Sequence, residues 1–364
     1  MLRNTFARVD LAKIGNNIET LKKAAGTQVM AIVKADAYGH GMIRVAGEAI
    51  NHGVSYFAVA TADEAVEFRR NYKKPSILIL SSVVEEDYTI LISNNIELTV
   101  YTAEDILALD IAAKKLDKQA LVHIKVDTGM GRIGLRTKEE LEEVISALKA
   151  SKNITVKGLF THFATADEAD FAFTELQFER FIRIKERFLS EGFSPLCHAS
   201  NSAGILWHKD KHLDLCRMGI SMYGYPPSGE VELGEARLEP AMELISYITH
   251  VKEIEAGESV SYGRRFTASE RRKVATVAIG YADGYRRALT NKGRAFIRGN
   301  EVKQVGTVCM DQLMLDVTGM PVKKGDEVLL MGAGYDADDM AADAGTISYE
   351  ILCGISGRVP RVYE

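Results

Sequence analysis

The segment Ala31-Ile-Val-Lys34-Ala-Asp36-Ala-Tyr38-Gly39-His40-Gly41 places a single lysine directly after an apolar run. The run at residues 29–33 predicts a buried strand, and the small residues and glycines after Lys34 predict a loop. A lysine at the end of such a strand can lie in a site that excludes water, where its amine loses its proton and attacks a carbonyl. Because a lone lysine is usually solvated, this hypothesis depends on which other polar groups reach the same place.

Strand-like runs alternate with amphipathic, helix-like stretches from about residue 10 to residue 225. This alternation is typical of parallel strands joined by right-handed helical crossovers. Eight such units predict an α/β fold, a closed (β/α)8 TIM barrel. An open doubly wound sheet is the alternative, but the first strand–helix junction lacks a Gly-x-Gly-x-x-Gly sequence. The predicted barrel strands are residues 29–33, 56–60, 76–80, 97–100, 120–126, 155–160, 195–198 and 214–218.

The pattern changes after Pro226-Pro227-Ser-Gly229, where strand-like runs separated by glycine turns replace the alternation. The chain is long enough for two cores. We therefore predict a barrel domain at residues 1–235 and a mostly β domain at residues 236–364, with one short helix at 348–353. The predicted strands of the β domain are residues 244–254, 274–279, 294–297, 304–308, 314–317 and 327–331.

Composition excludes several classes of protein. A net charge of -5 with no basic block argues against nucleic-acid binding. The sequence has no signal-peptide core and no apolar run long enough for a membrane span, and its four widely spaced cysteines suit a reducing cytoplasm. The eight histidines form no ligand-spaced cluster, so no metal site is predicted.

Polar residues follow five of the eight predicted barrel strands. Lys34 follows the first, Asp127-Thr-Gly-Met-Gly-Arg132 the fifth and His162 the sixth, while Ser202 and Arg217 follow or end the last two. Each residue alone could be structural. Barrel enzymes, however, build their active sites at the carboxyl ends of the strands. We therefore predict one active site at this end of the barrel.

The residue types suit an anionic ligand and an amino acid. Ser202 and the backbone N–H groups near Gly219 and Ile220 can bind a phosphate, which is a recurrent feature after the last barrel strands. The planar guanidinium of Arg132 can pair with a carboxylate. In the β domain, Tyr262, Tyr281 and Met310 lie in glycine-rich segments with arginines nearby. Proton removal from both faces of a substrate requires two bases, which Lys34 and a tyrosine could supply.

These segments, together with Gly280-Tyr281-Ala-Asp-Gly-Tyr285 and the tail Arg358-Val-Pro-Arg, resemble fold-type III alanine racemases over essentially the whole chain. The resemblance implies the cofactor pyridoxal 5′-phosphate (PLP), bound to Lys34 as a Schiff base, and a head-to-tail homodimer with two shared active sites. It implies Lys34 as the base for D-alanine and Tyr262 of the other subunit as the base for L-alanine. The remaining implied contacts are Tyr38, Ser202, Gly219 and Ile220 to the phosphate, Arg217 to the pyridine nitrogen, His162 to Arg217, Arg132 to the ring hydroxyl and the substrate carboxylate, Met310 to that carboxylate, Tyr281 at the entrance, and Lys125 as a residue that is often carbamylated.

The identity of the residue opposite the pyridine nitrogen bears on the reaction. Many PLP enzymes place a carboxylate there, which protonates the nitrogen and makes the ring a strong electron sink. Arg217 would leave the nitrogen unprotonated and the negative charge at Cα short-lived. That favours rapid reprotonation, as in a racemase, over decarboxylation or transamination.

One position departs from the family pattern. Many members have a tyrosine before the terminal Arg-Val-Pro-Arg segment, and here Gly357 occupies that place. The missing side chain leaves a gap that Tyr349 or Tyr363 could fill, or that could admit a hydroxymethyl group. The leading hypothesis is an alanine racemase that supplies D-alanine for peptidoglycan. The alternatives are a serine or broader-specificity racemase and a non-catalytic PLP carrier.

Overall fold

The computed structural model describes residues 5–234 and 236–364, and these fold into two compact units. Among the described residues, one unit comprises residues 14–37, 42–234 and 236–239, and the other comprises residues 5–13, 38–41 and 240–364. The first strand, β1 (Phe6–Val9), pairs with strands of the C-terminal part of the chain and so belongs to the second of these units. The predicted division at 235/236 placed the N-terminus with the barrel, and residue 235 itself lies outside the described residues.

The first unit is a barrel of eight parallel strands, as predicted from the alternating pattern. The strand order is β8-β7-β6-β5-β4-β3-β2-β9, and every neighbouring pair is parallel. Backbone hydrogen bonds from Asp214 N to Cys197 O and from Arg217 N to Ser200 O join β8 to β9. All eight predicted strands are present within one residue at each end. Their bounds are β2 (Gln28–Ile32), β3 (Tyr56–Val59), β4 (Ser76–Ile79), β5 (Glu97–Val100), β6 (Ala120–Lys125), β7 (Ile154–Phe160), β8 (Leu196–His198) and β9 (Leu215–Met218).

Helices follow the strands and pack their apolar faces inward, as the buried Ile14, Ile18 and Leu21 of the first helix do. Capping boxes begin two of them, at Thr61 with Glu64 and at Thr137 with Glu140. The helices are α1 (Leu11–Ala25), α2 (Lys34–Tyr38), α3 (Met42–Asn51), α4 (Ala62–Asn71), α5 (Tyr88–Ser93), α6 (Ala103–Lys115), α7 (Lys138–Ala150), α8 (Ala172–Ser190) and α9 (Ser202–Trp207), with 3-10 turns at Glu85–Asp87, Lys209–Lys211 and Ile220–Tyr223.

The second unit is mostly β, as predicted. Its main sheet has the order β13-β16-β15-β14-β17-β10-β1-β18, and β11 pairs with β12 in a small hairpin. The elements are β10 (Met242–Ile254), β11 (Ser259–Val260), β12 (Phe266–Thr267), β13 (Arg272–Val277), β14 (Arg294–Ile297), β15 (Asn300–Gln304), β16 (Leu313–Asp316), β17 (Glu327–Met331), α10 (Ala337–Ala344), α11 (Ser348–Gly354) and β18 (Arg361–Tyr363), with 3-10 turns at Tyr262–Arg264, Tyr281–Asp283 and Arg287–Leu289.

One predicted strand of this unit is wrong. Residues 304–308 were expected to pair, but β15 ends at Gln304. Gly306 has a φ of +76°, outside the extended region, and Gln304 binds the Val305 and Gly306 carbonyls with its own amide. The strand instead begins at Asn300, because the Ile297–Asn300 pair closes a tight hairpin.

No helix in the described stretches of the chain combines the length and apolar content that a membrane crossing requires.

Candidate active site

Lys34 opens a left-handed turn rather than the irregular loop predicted for this segment. Residues Ala35, Asp36, Ala37 and Tyr38 have φ values between 52° and 54°. A left-handed turn costs roughly 1–2 kcal/mol for each residue with a Cβ. Hydrogen bonds within the barrel unit hold it in place, from Met42 N to the Asp36 carboxylate at 2.7 Å and from Ala35 N to Glu64 at 2.6 Å. Strained backbone that its surroundings enforce is typical of functional sites.

Arg217, the third residue of β9, is 3% exposed and has a nearly saturated guanidinium. Nη1 donates to His198 Nδ1 at 2.9 Å and to the His198 carbonyl at 3.1 Å. Nη2 donates to the carbonyls of Thr161 and Ala199 and contacts His162 Nδ1 at 3.2 Å. Among the described residues, none accepts a hydrogen bond from Nε. One donor of five is therefore available to a ligand.

The two histidines beside Arg217 are neutral acceptors. Burial, followed by the charge of Arg217, lowers the pKa of His198 and of His162 well below the ordinary histidine value. Arg132, Lys125 and Lys34 also lower the pKa of His162, so these cations lie around the same point. The structure therefore brings together barrel residues that the sequence placed at four different strand ends.

A candidate anion site lies between α9 and the end of β9. The Ser202 hydroxyl accepts from Gly219 N at 2.9 Å and from Ser221 N at 3.4 Å. Ile220 opens a 3-10 turn, so its N–H has no acceptor within that turn. The buried Ser221 hydroxyl has no hydrogen-bond partner among the described residues. These donors suit a phosphate.

Lys125 is 2% exposed at the end of β6 and donates to the Val126 carbonyl. Burial, with the charge of Arg217, lowers its pKa to about 7, although Asp127 opposes the shift. Asp127 itself accepts from Gly129 N and Gly131 N and so holds the loop that carries Arg132. Arg132 is exposed and has no ion pair within the described part of the chain, so its guanidinium can receive an anion.

The barrel groups fit the PLP that the resemblance implies. Lys34 supplies an amine for its aldehyde, and Arg217 Nε supplies a donor for its ring nitrogen. The Ser202 hydroxyl, which accepts from two N–H groups and keeps its own proton to donate, the Ile220 N–H and the unpartnered Ser221 hydroxyl suit its phosphate. No three histidine, cysteine or acidic side chains of the described residues are grouped as metal ligands.

In the β unit, the predicted site residues lie in one neighbourhood. Tyr281 N donates to the Cys309 carbonyl at 3.0 Å, next to Met310, and Thr307 Oγ1 donates to the Tyr262 carbonyl at 2.6 Å. Tyr262, Met310 and Tyr281 are 74%, 52% and 43% exposed. Three large apolar side chains thus form one exposed patch of this unit.

Tyr38 and Gly357 also belong to the β unit. Tyr38 is buried with its ring 6.1 Å from that of Tyr349, and burial raises its pKa. A Cβ built on Gly357 meets no atom within 4 Å. Neither Tyr349 nor Tyr363 fills this space, and the Tyr363 hydroxyl lies against Gly41 instead. Gly357 is exposed, so the space beside it lies open at the surface of this unit.

Three buried residues behind Arg217 received no role from the sequence: Glu97, His123 and His198. Glu97 begins β5, and His123 lies within β6. A charged residue within an otherwise apolar strand was the available signal. The sequence could not predict that these side chains contact one another, because they come from three strands far apart in sequence.

Comparisons with known proteins agree with this geometry. The family model described as the alanine racemase N-terminal domain matches residues 9–227, and the alanine racemase C-terminal domain matches residues 241–363. The alanine racemase of Geobacter sp. (strain M21) is 44% identical, with 99% of each chain covered. The structure of alanine racemase from Clostridium difficile 630 has a TM-score of 0.96 at 38% identity, covering 100% of this chain and 96% of that one.

A third comparison bears on the cofactor. The alanine racemase of Bartonella henselae, solved with covalently bound pyridoxal phosphate, has a TM-score of 0.90 at 28% identity and covers 99% of both chains. Matched over both units and at this level of identity, the chain belongs to the PLP-dependent alanine racemase family.

Proposed function

We propose that this chain interconverts L- and D-alanine by a two-base mechanism and that its product enters peptidoglycan precursors. The observation that carries the proposal is Arg217, a buried arginine with Nε as its one available donor, opposite the place of a cofactor ring. When bound, PLP withdraws electron density from the substrate and makes its Cα proton acidic. Burial lowers the pKa of Arg217 to about 10, so the guanidinium keeps its proton at neutral pH and leaves the ring nitrogen unprotonated.

Lys34 and Tyr262 are the proposed bases. Lys34 lies at the barrel end, where it would hold the cofactor and move the proton of D-alanine. Tyr262 would move the proton of L-alanine from the opposite face. Arg132 would orient the substrate carboxylate together with the backbone N–H of Met310, and Tyr281 would narrow the entrance.

We infer a head-to-tail homodimer with shared sites. Tyr262 is the most exposed large apolar side chain among the described residues, and Met310 and Tyr281 lie beside it. An exposed apolar patch of this kind is typical of an interface. A second copy of the chain would cover it symmetrically and receive Tyr262 at its barrel. A reducing, cytoplasmic location is part of the proposal, and the four free cysteines suit it.

Two alternatives to an alanine-specific racemase can each be weighed against one observation. The open space at Gly357 favours some turnover of serine beside alanine. A non-catalytic PLP carrier would need the barrel alone, so the second unit with Tyr262 counts against it.

Lys125 is proposed to be carbamylated. Its neutral amine would attack CO2, forming an N–C bond while one C=O bond becomes C–O⁻ and the amine releases one proton to water. A pKa of about 7 makes the neutral amine available at physiological pH. The resulting anion could hold the unpaired Arg132.

Lys34→Ala should abolish covalent cofactor binding and lower racemisation by about 10³-fold or more, because both attachment and one base are lost. Chiral analysis of alanine after incubation with either enantiomer measures the activity, and borohydride reduction followed by peptide mass mapping locates the cofactor. Lys152→Ala, an exposed lysine, is the control. Retention of both properties by Lys34→Ala would show that another lysine carries the cofactor.

Mixing Lys34→Ala and Tyr262→Phe subunits should restore activity. In a mixed dimer one site holds both defects and the other holds none, so equal random mixing gives about one quarter of the wild-type rate. Each variant alone is the control. An inactive mixture, once subunit exchange has been demonstrated by mass spectrometry, would rule out shared sites.

Gly357→Tyr should raise the alanine-to-serine ratio of kcat/KM by about tenfold, because the ring would occupy the open space that admits a hydroxymethyl group. Gly357→Ala is the matched control, since its Cβ meets no neighbour and should leave the ratio unchanged. An equal ratio in all three proteins, or no serine turnover at saturating substrate, would contradict the prediction.

Lys125→Met should flatten the rise of stability with pH in the apoprotein. The native pKa is about 7 and the ordinary value is 10.5, so between these values the unfolded chain binds a proton that the native chain does not. The free energy of unfolding should therefore rise with pH across this window, by up to about 1.4 kcal/mol per pH unit from this group. Urea unfolding of both proteins from pH 7 to 10, in CO2-free buffer, measures it. Parallel curves would show that Lys125 titrates normally.

A further inference from the structure

Four side chains of the barrel form a continuous hydrogen-bonded chain, here called the relay: Arg217, His198, His123 and Glu97. Arg217 Nη1 lies 2.9 Å from His198 Nδ1, His198 Nε2 lies 3.0 Å from His123 Nδ1, and His123 Nε2 lies 2.7 Å from Glu97 Oε2. All four are at most 3% exposed. The relay crosses the barrel interior from β9 to β5, and only Arg217 reaches the site described above.

The two ends of the relay fix the direction of every hydrogen bond in it. A guanidinium can only donate, and a carboxylate can only accept. Each histidine between them must therefore accept at Nδ1 and donate at Nε2. Protonation of either imidazole would place two N–H groups against each other. The neutral state of His198, whose pKa burial and Arg217 hold far below the ordinary value, agrees with this assignment.

The relay connects a buried positive charge, on Arg217, to a buried negative charge, on Glu97. Arg217 forms no ion pair with any described residue, so a buried cation is held by carbonyls and imidazoles alone. Burial raises the pKa of the Glu97 carboxylate, but hydrogen bonds from His123 and Ser76, together with the charge of Lys157, lower it overall. The carboxylate is thus ionised, and it polarises two neutral rings toward Arg217. A carboxylate in direct contact would instead occupy donors that position the arginine.

The fold makes room for the relay. Gly158 pairs with His123 in the register of β6 and β7, and a Cβ on Gly158 would overlap the His123 ring. The register of the two strands shifts next to His123. The His198 ring stacks on Phe160 at 4.8 Å with an interplanar angle of 3°. Both rings are therefore held in one orientation.

We propose that Glu97 and His123 are positioning residues that act through His198 on Arg217, fixing the tautomer of His198 and aiming the free Nε–H of Arg217 at its ligand. Their effect on turnover rests on the proposed role of Arg217 at the cofactor. The tautomers themselves do not depend on that role, so failure of the relay and failure of the function can be distinguished.

The first test is nitrogen NMR of the cofactor-loaded enzyme labelled with ¹⁵N-histidine, assigned with His198→Asn and His123→Asn. The relay requires His198 and His123 to be neutral, with Nε2 protonated and Nδ1 unprotonated, across the neutral pH range. Protonation of His198 at Nδ1, or a charged ring at either position, would overturn the proposal whether or not any variant folds.

The second test removes the charge while keeping the shape. Glu97→Gln should shift the His123 and His198 nitrogen resonances and lower kcat by about tenfold, the size expected for one charge-assisted hydrogen bond, with KM changed less than about twofold. Thr99→Val is the matched control, because it removes a buried hydrogen bond two residues along the same strand and outside the relay. Equal effects of the two variants on kcat and on the resonances would refute the inference.

Discussion

The buried guanidinium of Arg217 is the constraint on which the rest of the site depends. A cation removed from water requires acceptors for its donors, and here three carbonyls at the β7 and β8 ends and two histidines provide them. Those acceptors belong to separate strands, so they can meet only if the sheet closes into a barrel. The same demand leaves Nε as the one donor for a ligand. Closure of the barrel and the proposed contact with the cofactor thus both depend on the Arg217 side chain.

Two further features are arranged around this centre at a cost in stability. Four successive residues after Lys34 adopt left-handed backbone, which local hydrogen bonds enforce. Lys125 is buried beside two arginines, which lowers its pKa to about 7. Backbone strain and buried charges with shifted pKa values are concentrated at functional sites in natural proteins. Both features lie at the carboxyl ends of barrel strands, together with Arg217.

The sequence was sufficient for the barrel and for the strand-end positions of the candidate site residues, because parallel strands and their polar ends produce patterns local to the chain. The eight barrel strands and the residues Lys34, Arg132, His162, Ser202 and Arg217 could be placed in this way. Other features depend on contacts between distant segments. The left-handed turn at Ala35–Tyr38 contradicts the preference of residues with a Cβ. Strand β1 forms by pairing with β10 and β18, which lie more than 230 residues away in the sequence. The relay joins side chains from four strands, from Glu97 in β5 to Arg217 in β9. The predicted strand at residues 304–308 was wrong because the strand ends at Gln304. There the side-chain amide of Gln304 binds the next two carbonyls, and Gly306 leaves the extended conformation.

The proposed role of Arg217 is to donate from Nε to an unprotonated pyridine nitrogen. The ¹⁵N chemical shift of PLP labelled at its ring nitrogen and bound to the enzyme, followed across neutral pH, tests this role. A neutral pyridine that accepts a hydrogen bond should give its characteristic shift, constant with pH. The shift of a protonated pyridinium, or one that titrates in this range, would contradict this role of Arg217.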